Sequence, residues 1–323
     1  MDQSIDFLQE IKKEKTSSEP FASVIIVTRN RASSLDRALK AVTSLEYPNY
    51  EILIVDNDSS DETKDVIERY GATRIYVPSQ HGIGYCRRKG VTAAKGEYVA
   101  FCDDDCVPRP DWLTQFVERL KNESDLGIVG GQVINVGFSD QMQNKGRSRH
   151  WKNGKLHWVE DPHDAEFYGN MNLAFRREIV DKVGNYDPFF NVMAEIDLQV
   201  RIRKNGYRVD YEPAAILEHH YTGINYKKRH ARGGAQLVRL YFCMKHYRPK
   251  TFREWVTFLG CETSFFWKDL KHILQGFGSS VVHWKPQRWP ELLKALFQAV
   301  SSRLAIPWLI WRANRDRLPL ATA

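Results

Sequence analysis

The sequence predicts an α/β protein with a mostly parallel β-sheet flanked by helices and a basic helical extension at the C-terminal end. Two observations support this prediction. Continuous β-branched runs alternate with single stretches of helical periodicity up to about residue 221, which is typical of strands buried on both faces. The charge then changes, because residues 1–221 contain 29 Lys and Arg against 35 Asp and Glu, whereas residues 222–323 contain 18 against 5.

Four apolar runs near the N-terminal end are predicted strands. Each is short, rich in branched residues and bounded by polar or turn residues. The runs are SVIIV (23–27), EILIV (51–55), TRIYV (73–77) and YVAFC (98–102). Because single helical segments separate them, we expect right-handed crossovers and a parallel sheet with helices on both faces.

The helices between these strands follow from the spacing of their apolar residues. The first is predicted to continue through Leu45 until Pro48 stops it. The second, in residues 59–71, has a Ser or Asp cap and ends at Gly71. The third runs from about residue 84 to residue 95.

The following hundred residues continue the α/β pattern with one interruption. Residues 136–168 are polar and are predicted to be irregular. The regular elements around them are a helix over 112–121, a strand region over 126–136, a helix over 177–183, a helix that begins near residue 194, and a strand that ends at residue 220.

Polar residues follow three of the predicted strands, in TRN (28–30), DND (56–58) and DDD (103–105). The carboxyl ends of parallel strands face one crevice, where open α/β sheets bind ligands. Adjacent carboxylates repel one another unless a cation compensates them, and their hard oxygens suit Mg²⁺ or Mn²⁺ shared with phosphate. The alternative for DDD is an acidic turn whose aspartates bind local backbone amides.

Six segments of the chain share a characteristic order and spacing. They are SVIIVTRNR, EILIVDNDSSDET, GIGYCRRKGVTAAKGEYVAFCDDD, PDWL, NMNLAFRREIVDKVGNYDPFF and AEIDLQVRIRKNGYRV. In this order and spacing they resemble the family 2 glycosyltransferases, which have the GT-A fold. Residues 22–112 resemble the sugar-nucleotide half, and residues 113–221 resemble the acceptor half. The chain is therefore predicted to consist of an N-terminal lead-in (1–21), a GT-A-like domain (22–221) and the basic region (222–323).

The resemblance implies an inverting, metal-dependent, hexosyltransferase-type reaction. A sugar would pass from a nucleoside-diphosphate donor to an acceptor hydroxyl, in glycolipid or surface-polysaccharide synthesis, with Mn²⁺ or Mg²⁺ as the cofactor. The residues that the resemblance assigns to donor binding are Thr28, Arg29, Asp56, Asn57, Arg87, Asp103, Asp104 and Asn172. Those that it assigns to the metal are Asp105 with Asp103, and one of the two histidines His219 and His220.

The catalytic base is expected at Glu195 or Asp197. The family commonly has the acidic pair ED before xDLxxR, and here the pair is Ala194-Glu195. Residues two apart do not share a helix face, so we expect Glu195 to be the base and Asp197 to cap the helix or pair with an arginine. Two other functions remain open, a catalytically idle sugar-nucleotide-binding scaffold subunit and a nucleotidyltransferase, although TRNRASS (28–34) lacks the glycines of a nucleotidyltransferase phosphate loop.

The basic region is predicted to lie on an anionic membrane surface. Residues 222–250 contain eight Lys and Arg and no acid, and an apolar stripe begins at Leu292 and continues through Leu296 and Val300 to Leu304. This composition is typical of an interfacial helix, and no uncharged run is long enough to span a bilayer. The alternative is a helical subdomain packed on the core. Nucleic acid is not an expected partner, because no known binding module accompanies the charge.

The acceptor is accordingly expected to be a lipid-linked saccharide or a polysaccharide. The five cysteines contain no CxxC pair and are expected to be reduced thiols. The first twenty residues lack the apolar core of a signal peptide. The predicted location is therefore the cytoplasm, with peripheral attachment to the inner face of the plasma membrane.

Overall fold

The structure is a computed structural model that describes residues 19–137, 147–150, 156–159, 161, 164–220, 234–282, 287 and 289–315. Most of the predicted lead-in (1–21) and the basic residues 221–233 therefore lie outside the described residues.

Eleven strands are present in the described residues. They are β1 (Ala22–Thr28), β2 (Tyr50–Asp56), β3 (Thr73–Tyr76), β4 (Tyr98–Cys102), β5 (Cys106–Pro108), β6 (Leu126–Val136), β7 (Arg147–His150), β8 (Leu156–Trp158), β9 (Phe167–Tyr168), β10 (Asn172–Arg176) and β11 (Arg208–His220).

Ten α-helices accompany them in the same residues. They are α1 (Ala32–Val42), α2 (Thr63–Arg69), α3 (Ile83–Ala93), α4 (Trp112–Asn122), α5 (Arg177–Val183), α6 (Ala194–Lys204), α7 (Gly234–His246), α8 (Phe252–Val282), α9 (Trp289–Leu304) and α10 (Ile306–Arg315).

Eight strands form one sheet in the order β3-β2-β1-β4-β10-β6-β11-β5. Strands β3, β2, β1 and β4 are mutually parallel, and β6 is parallel to β11. Strand β10 runs antiparallel between β4 and β6, and β5 runs antiparallel to β11. The predicted α/β fold, with a mostly parallel sheet between helices, is confirmed.

Both faces of the sheet are covered, as the uninterrupted apolar runs predict. Successive side chains on a strand point to opposite faces, and in β1 Ile25 belongs to one hydrophobic cluster while Val24 and Ile26 belong to another. All three are fully buried. Helices must therefore pack on both sides of these strands, which leaves the strand ends as the accessible edge of the sheet.

Two sequence predictions about local structure are wrong. Helix α1 ends at Val42 and not at Pro48, because the hydroxyls of Thr43 and Ser44 donate to the carbonyls of Leu39 and Lys40 and cap the last turn. The stretch predicted to be irregular contains a second, three-stranded antiparallel sheet in the order β8-β7-β9. Strands of two to four residues are too short for a periodic signal.

Helices α7 to α10 form the predicted C-terminal helical extension. The middle of α7 is completely buried, and residues of α7 and α10 belong to the same hydrophobic cluster as strand residues such as Val55 and Phe101. Within the described residues, none of the helices combines the length and the hydropathy that a bilayer-spanning segment needs.

Candidate active site

The loops that follow β1 and β2 are held to each other at the carboxyl edge of the sheet. Asn30 has φ of 52° and Asp58 has φ of 61°, in the left-handed region that non-glycine residues rarely adopt. The Asn30 side-chain oxygen accepts a hydrogen bond from the Ser60 backbone nitrogen at 2.7 Å, and the Asn30 backbone nitrogen donates to the Ser59 hydroxyl at 2.9 Å. Backbone strain of this kind is common at functional sites.

The side chain of Asp104, the middle residue of the acidic triplet, contacts residues at and just after the end of β1. Its Oδ2 accepts a hydrogen bond from the Thr28 hydroxyl at 2.7 Å, and its Oδ1 contacts Nη1 of Arg31 at 2.5 Å. Burial raises the pKa of Asp104 to about 6 despite the charge of Arg31. Thr28 and Asp104, both predicted to touch the donor, are therefore joined to each other in the floor of the crevice.

Asp105 lies between two groups that favour its charged form. Its Oδ2 is 3.0 Å from Nη1 of Arg31, and its Oδ1 is 3.4 Å from Nε2 of His219. Burial by itself would raise the pKa of Asp105, but the hydrogen bond to His219 and the charge of Arg31 outweigh burial and lower the pKa.

The structure distinguishes the two adjacent histidines. The antiparallel pairing of β11 with β5 sets His219 opposite Cys106, and the His219 ring lies between Asp105 and the Asn135 side-chain oxygen, 2.9 Å from its Nδ1. The next side chain points to the other face of the strand, and the ring of His220 contacts Glu218 at 3.1 Å. Of the two histidines predicted as possible metal ligands, His219 is thus the one beside the acidic triplet.

The residues present fit a divalent cation. Ligand atoms of Asp105, Cys106 and His219 lie within 4.8 Å of one another. Carboxylate and imidazole ligands suit Mn²⁺, and carboxylates suit Mg²⁺. Burial and the neighbouring Cys102 raise the pKa of the Cys106 thiol well above its usual value, and only the thiolate is a good ligand, so Asp105 and His219 are the better donors.

Arg87 and Glu195 form an ion pair across the crevice, with Nη1 and Oε2 2.7 Å apart. The two side chains meet because α3 packs closely against the segment before α6. Gly84 leaves no room for a side chain at this contact, since a Cβ there would lie 2.4 Å from the carbonyl oxygen of Phe190. Burial raises the pKa of Asp103, whereas the charge of Arg87 opposes that change. Arg87 is therefore close to both the predicted base and the acidic triplet.

Asp197 faces away from the crevice, although it follows Glu195 by only two residues. Its side chain is fully buried, with Oδ2 2.8 Å from Nη2 of Arg201 and Oδ1 2.8 Å from both Nζ of Lys245 and Nε2 of His246. Burial would raise the pKa of Asp197, but Arg201, Lys245 and His246 hold it well below the usual value. The predicted pairing with an arginine is confirmed, and no side-chain hydrogen bond caps α6.

Other predicted donor-binding residues make contacts within the protein. Asp56 is fully buried and accepts hydrogen bonds from Nε and Nη2 of Arg74 at 2.9 and 2.5 Å. The Asn57 amide donates to the carbonyls of residues 77 and 78. The amide of Asn172 donates to two carbonyls and accepts from the Trp112 indole at 2.7 Å.

These contacts do not test the predicted roles in donor binding, which stay predictions. Arg29 is exposed beside the same edge of the sheet, where a ligand could reach it directly.

Three further residues support the site and were not singled out from the sequence. Arg31 compensates the triplet, and a signal for it existed, since three carboxylates need a nearby cation and Arg31 follows the first strand. Lys245 and His246 had no such signal. They are nearly fifty residues from Asp197 in the chain, and only the packing of α7 brings them together.

Comparison with known proteins gives a consistent result. A family model described as glycosyl transferase family 2 matches residues 23–184. Glycosyltransferase AglE of Haloferax volcanii is 29% identical over 203 residues, which cover 61% of this chain and 66% of AglE. The GalNAc(5)-diNAcBac-PP-undecaprenol beta-1,3-glucosyltransferase of Campylobacter jejuni is 24% identical over 58% of this chain and 62% of its own. Less than two thirds of each relative is therefore matched.

A solved structure shares the fold along nearly the whole chain. The mannosyltransferase PcManGT from Pyrobaculum calidifontis, in complex with GDP-Man and Mn²⁺, has a TM-score of 0.51 at 17% identity and covers 94% of each chain. The C-terminal helices are thus included in the structural similarity.

Proposed function

Because the chain belongs to glycosyl transferase family 2, we propose that it transfers a sugar from a nucleoside-diphosphate donor to an acceptor hydroxyl with inversion. The observation that supports this most is the position of Glu195. Its side chain is 20% exposed at the crevice and contacts Arg87, which also influences the pKa of Asp103. A carboxylate that an acceptor can reach thus lies next to the acidic strand end.

The donor would bind at the carboxyl edge of the sheet, with its nucleoside near Thr28, Arg29, Asp56 and Asn57. Asp105 and His219 would hold the divalent cation, which when bound supplies positive charge that stabilises the leaving diphosphate. Arg31 already interacts with Asp104 and Asp105, so it keeps the carboxylates in place before the donor enters.

Glu195 would act as the general base in the transfer step. It accepts the proton of the acceptor hydroxyl, and the acceptor oxygen forms a bond to the anomeric carbon. The bond from that carbon to the diphosphate oxygen breaks on the opposite face. The products are the glycosylated acceptor with inverted configuration, the nucleoside diphosphate and the protonated carboxyl of Glu195.

The ion pair with Arg87 must open for Glu195 to act, because the Oε2 atom that contacts the guanidinium is then free to accept the proton of the acceptor hydroxyl. The diphosphate of the donor offers Arg87 two further negative groups in the same crevice. Donor binding would thus compete for Arg87 and release Glu195 for the acceptor.

We propose a lipid-linked saccharide as the acceptor, presented at an anionic membrane surface on the cytoplasmic side. The matched enzyme of Campylobacter jejuni is named for an undecaprenol-linked substrate. In this chain, α8 exposes a row of large apolar residues at helical spacing. They are Phe252 (85% exposed), Val256 (54%), Leu259 (49%), Trp267 (61%) and Leu274 (59%).

The charges beside this row favour anionic lipid as its partner. Arg253, Lys268 and Lys271 on α8 are exposed, and an apolar stripe with a basic flank is typical of helices that lie in a membrane interface. Two of the eight cations counted in residues 222–250 do not contribute, because Arg239 pairs with the buried Glu262, and Lys245 pairs with the buried Asp197 and the partly buried Asp187.

A donor screen tests the proposed function. Full-length protein is incubated with UDP- and GDP-sugars, Mn²⁺ or Mg²⁺ and a lipid extract, and release of the nucleoside diphosphate is measured. We expect release from one donor class, dependent on lipid acceptor, and lost with chelator and in Asp105→Asn. Asp181→Asn, at an exposed site on α5, is the matched control. Donor binding without any release would instead support the idle scaffold.

A further inference from the structure

Lys245 joins two segments of the catalytic half from a position on the C-terminal extension. Its Nζ lies 2.8 Å from Oδ1 of Asp197 on α6 and 2.8 Å from Oδ2 of Asp187, in the segment between α5 and α6. The Lys245 side chain is only 8% exposed. A buried ammonium that bridges two carboxylates holds them strongly, because each bond is charge-assisted and poorly solvated.

Each of the two segments supports one partner of the Arg87–Glu195 ion pair. Glu195 lies in the first turn of α6, two residues before Asp197. Arg87 lies on α3, whose first turn packs on the other segment, since a Cβ on Gly84 would lie 2.9 Å from the carbonyl oxygen of Asp187. The Lys245 bridge therefore connects the supports of both groups.

The start of α6 needs external support. Met193, at the N-cap, has φ of 63°, in the left-handed region, and no side chain caps the helix. A methionine adopts that conformation only where the surrounding structure enforces it. Contacts that tie the first turn to other elements must hold the helix start in place, and the bonds to Asp197 from α7 do so.

We propose that Lys245 is a positioning residue for sugar transfer, which fixes the geometry of Glu195 and Arg87 by bridging Asp197 to Asp187. This inference rests on the proposed function, in which Glu195 is the base. It makes α7 a part of the catalytic unit, so the extension from residue 234 is not a removable membrane tail.

The buried charges around the bridge offer a specific readout. The two carboxylates are balanced by Lys245 and Arg201, and burial lowers the pKa of His246 despite its hydrogen bond to Asp197. Removing the ammonium leaves excess negative charge, so the pKa of His246 should rise. The charged groups that act on His246 are Asp197 and Lys204 on α6 and Lys245 on α7, and Arg201 pairs with the same Asp197.

The test compares Lys245→Met with Lys245→Arg in the full-length chain. Hydrogen exchange is measured by mass spectrometry over residues 185–199, and the His246 ring is titrated by NMR with His246→Asn to assign its signal. We expect exchange about tenfold faster in this segment and a raised His246 pKa in Lys245→Met. With UDP- or GDP-sugar donors, kcat should fall about 10- to 100-fold, whereas nucleotide affinity, to which Arg87 is one of several contributors, should fall by a smaller factor.

Lys245→Arg should restore most of each property, because a guanidinium can contact both carboxylates. Lys204→Met is the matched control, since Lys204 is exposed and donates to the backbone carbonyl of His246 at 2.9 Å. It should leave exchange at the start of α6 and kcat unchanged. If Lys245→Met does not fold, Asp187→Asn weakens the same bridge and should show the same changes to a smaller extent.

The inference is overturned if exchange over residues 185–199 and kcat are unchanged in Lys245→Met, or if Lys204→Met changes them equally. Failure of the proposed function would give a different set of results. In that case Glu195→Gln retains full transfer or no donor is turned over, whereas the exchange and titration results still report on the bridge.

Discussion

The charged groups of the crevice and those between α6 and α7 are paired in different ways. In the crevice, Arg87 and Glu195 retain 11% and 20% side-chain exposure and contact each other through one short pair of atoms. Between the helices, Asp197 has no exposure and receives bonds from Arg201, Lys245 and His246. The first pair can exchange partners with a ligand, whereas the second is saturated by protein groups.

The difference shows that ion pairs of similar length serve different purposes. The charges of a pair that stays partly exposed at the crevice remain available to a substrate. A buried carboxylate held by several cations is costly to disturb, because removing it leaves those cations unpaired in a medium that solvates them poorly. Variants of the crevice should therefore change activity, whereas variants of the helix interface should change stability and, through the position of Glu195, activity as well.

The largest expected effect is on transfer in Glu195→Gln. The amide keeps the shape and removes the basicity, so the transfer rate should fall by about 10²–10⁴-fold. Donor affinity should not fall, because loss of the Glu195 charge leaves Arg87 available to the diphosphate. Steady-state kinetics and nucleotide titration measure both quantities. Glu178→Gln, an exposed position in the first turn of α5, is the control. A near wild-type rate in Glu195→Gln would contradict the assignment of the base.

Asp197→Asn should act on stability. Breaking a buried ion pair by removing one partner typically costs about 3–5 kcal/mol in the free energy of unfolding, which urea denaturation measures. Asp181→Asn, whose exposed carboxylate is 3.5 Å from Arg177, should change it by less than about 0.5 kcal/mol. Normal stability with complete loss of transfer would instead make Asp197 the base.

The same variant should alter the pH dependence of stability. The pKa of Asp197 is lower in the folded protein than its unfolded value of about 4. Its contribution is therefore fully present above about pH 4 and is lost as the pH falls toward the folded-state pKa. Asp197→Asn should lose stability at neutral pH and show a shallower decline on acidification, measured by urea denaturation from pH 7 to pH 3.

The smallest effect is expected for exposed charges that lie neither in the crevice nor between α6 and α7. Reversing Lys268 and Lys271 on α8 to Glu should weaken binding to anionic vesicles by roughly 1 kcal/mol or more per residue, with the free energy of unfolding unchanged. Vesicle sedimentation at low and high salt measures the binding, and Lys64→Glu on α2 is an exposed control. If the full-length protein does not sediment with anionic vesicles at low salt, the proposed binding to a membrane surface is contradicted.

Much of the sheet and the place of the site could be predicted from the sequence. An uninterrupted branched run such as 23–27 can be stable only where both faces are covered, and the strand β1 (Ala22–Thr28) has this environment. Parallel strands then direct their polar ends to one edge. The acidic triplet and Thr28 meet there, with a hydrogen bond between Thr28 and Asp104, because local pattern and sheet geometry both require it.

Only the tertiary structure decided which charges pair, which histidine faces the triplet and which apolar residues stay exposed. Helices α7 and α8 have similar basic and aromatic compositions, yet Tyr241 and Phe242 are fully buried while Phe252 is 85% exposed. Likewise, the register of β11 on β5 selects His219 over His220, and the packing of α7 brings Lys245 to Asp197. Such contacts join elements that are distant in the chain, so their geometry depends on how whole helices and strands pack.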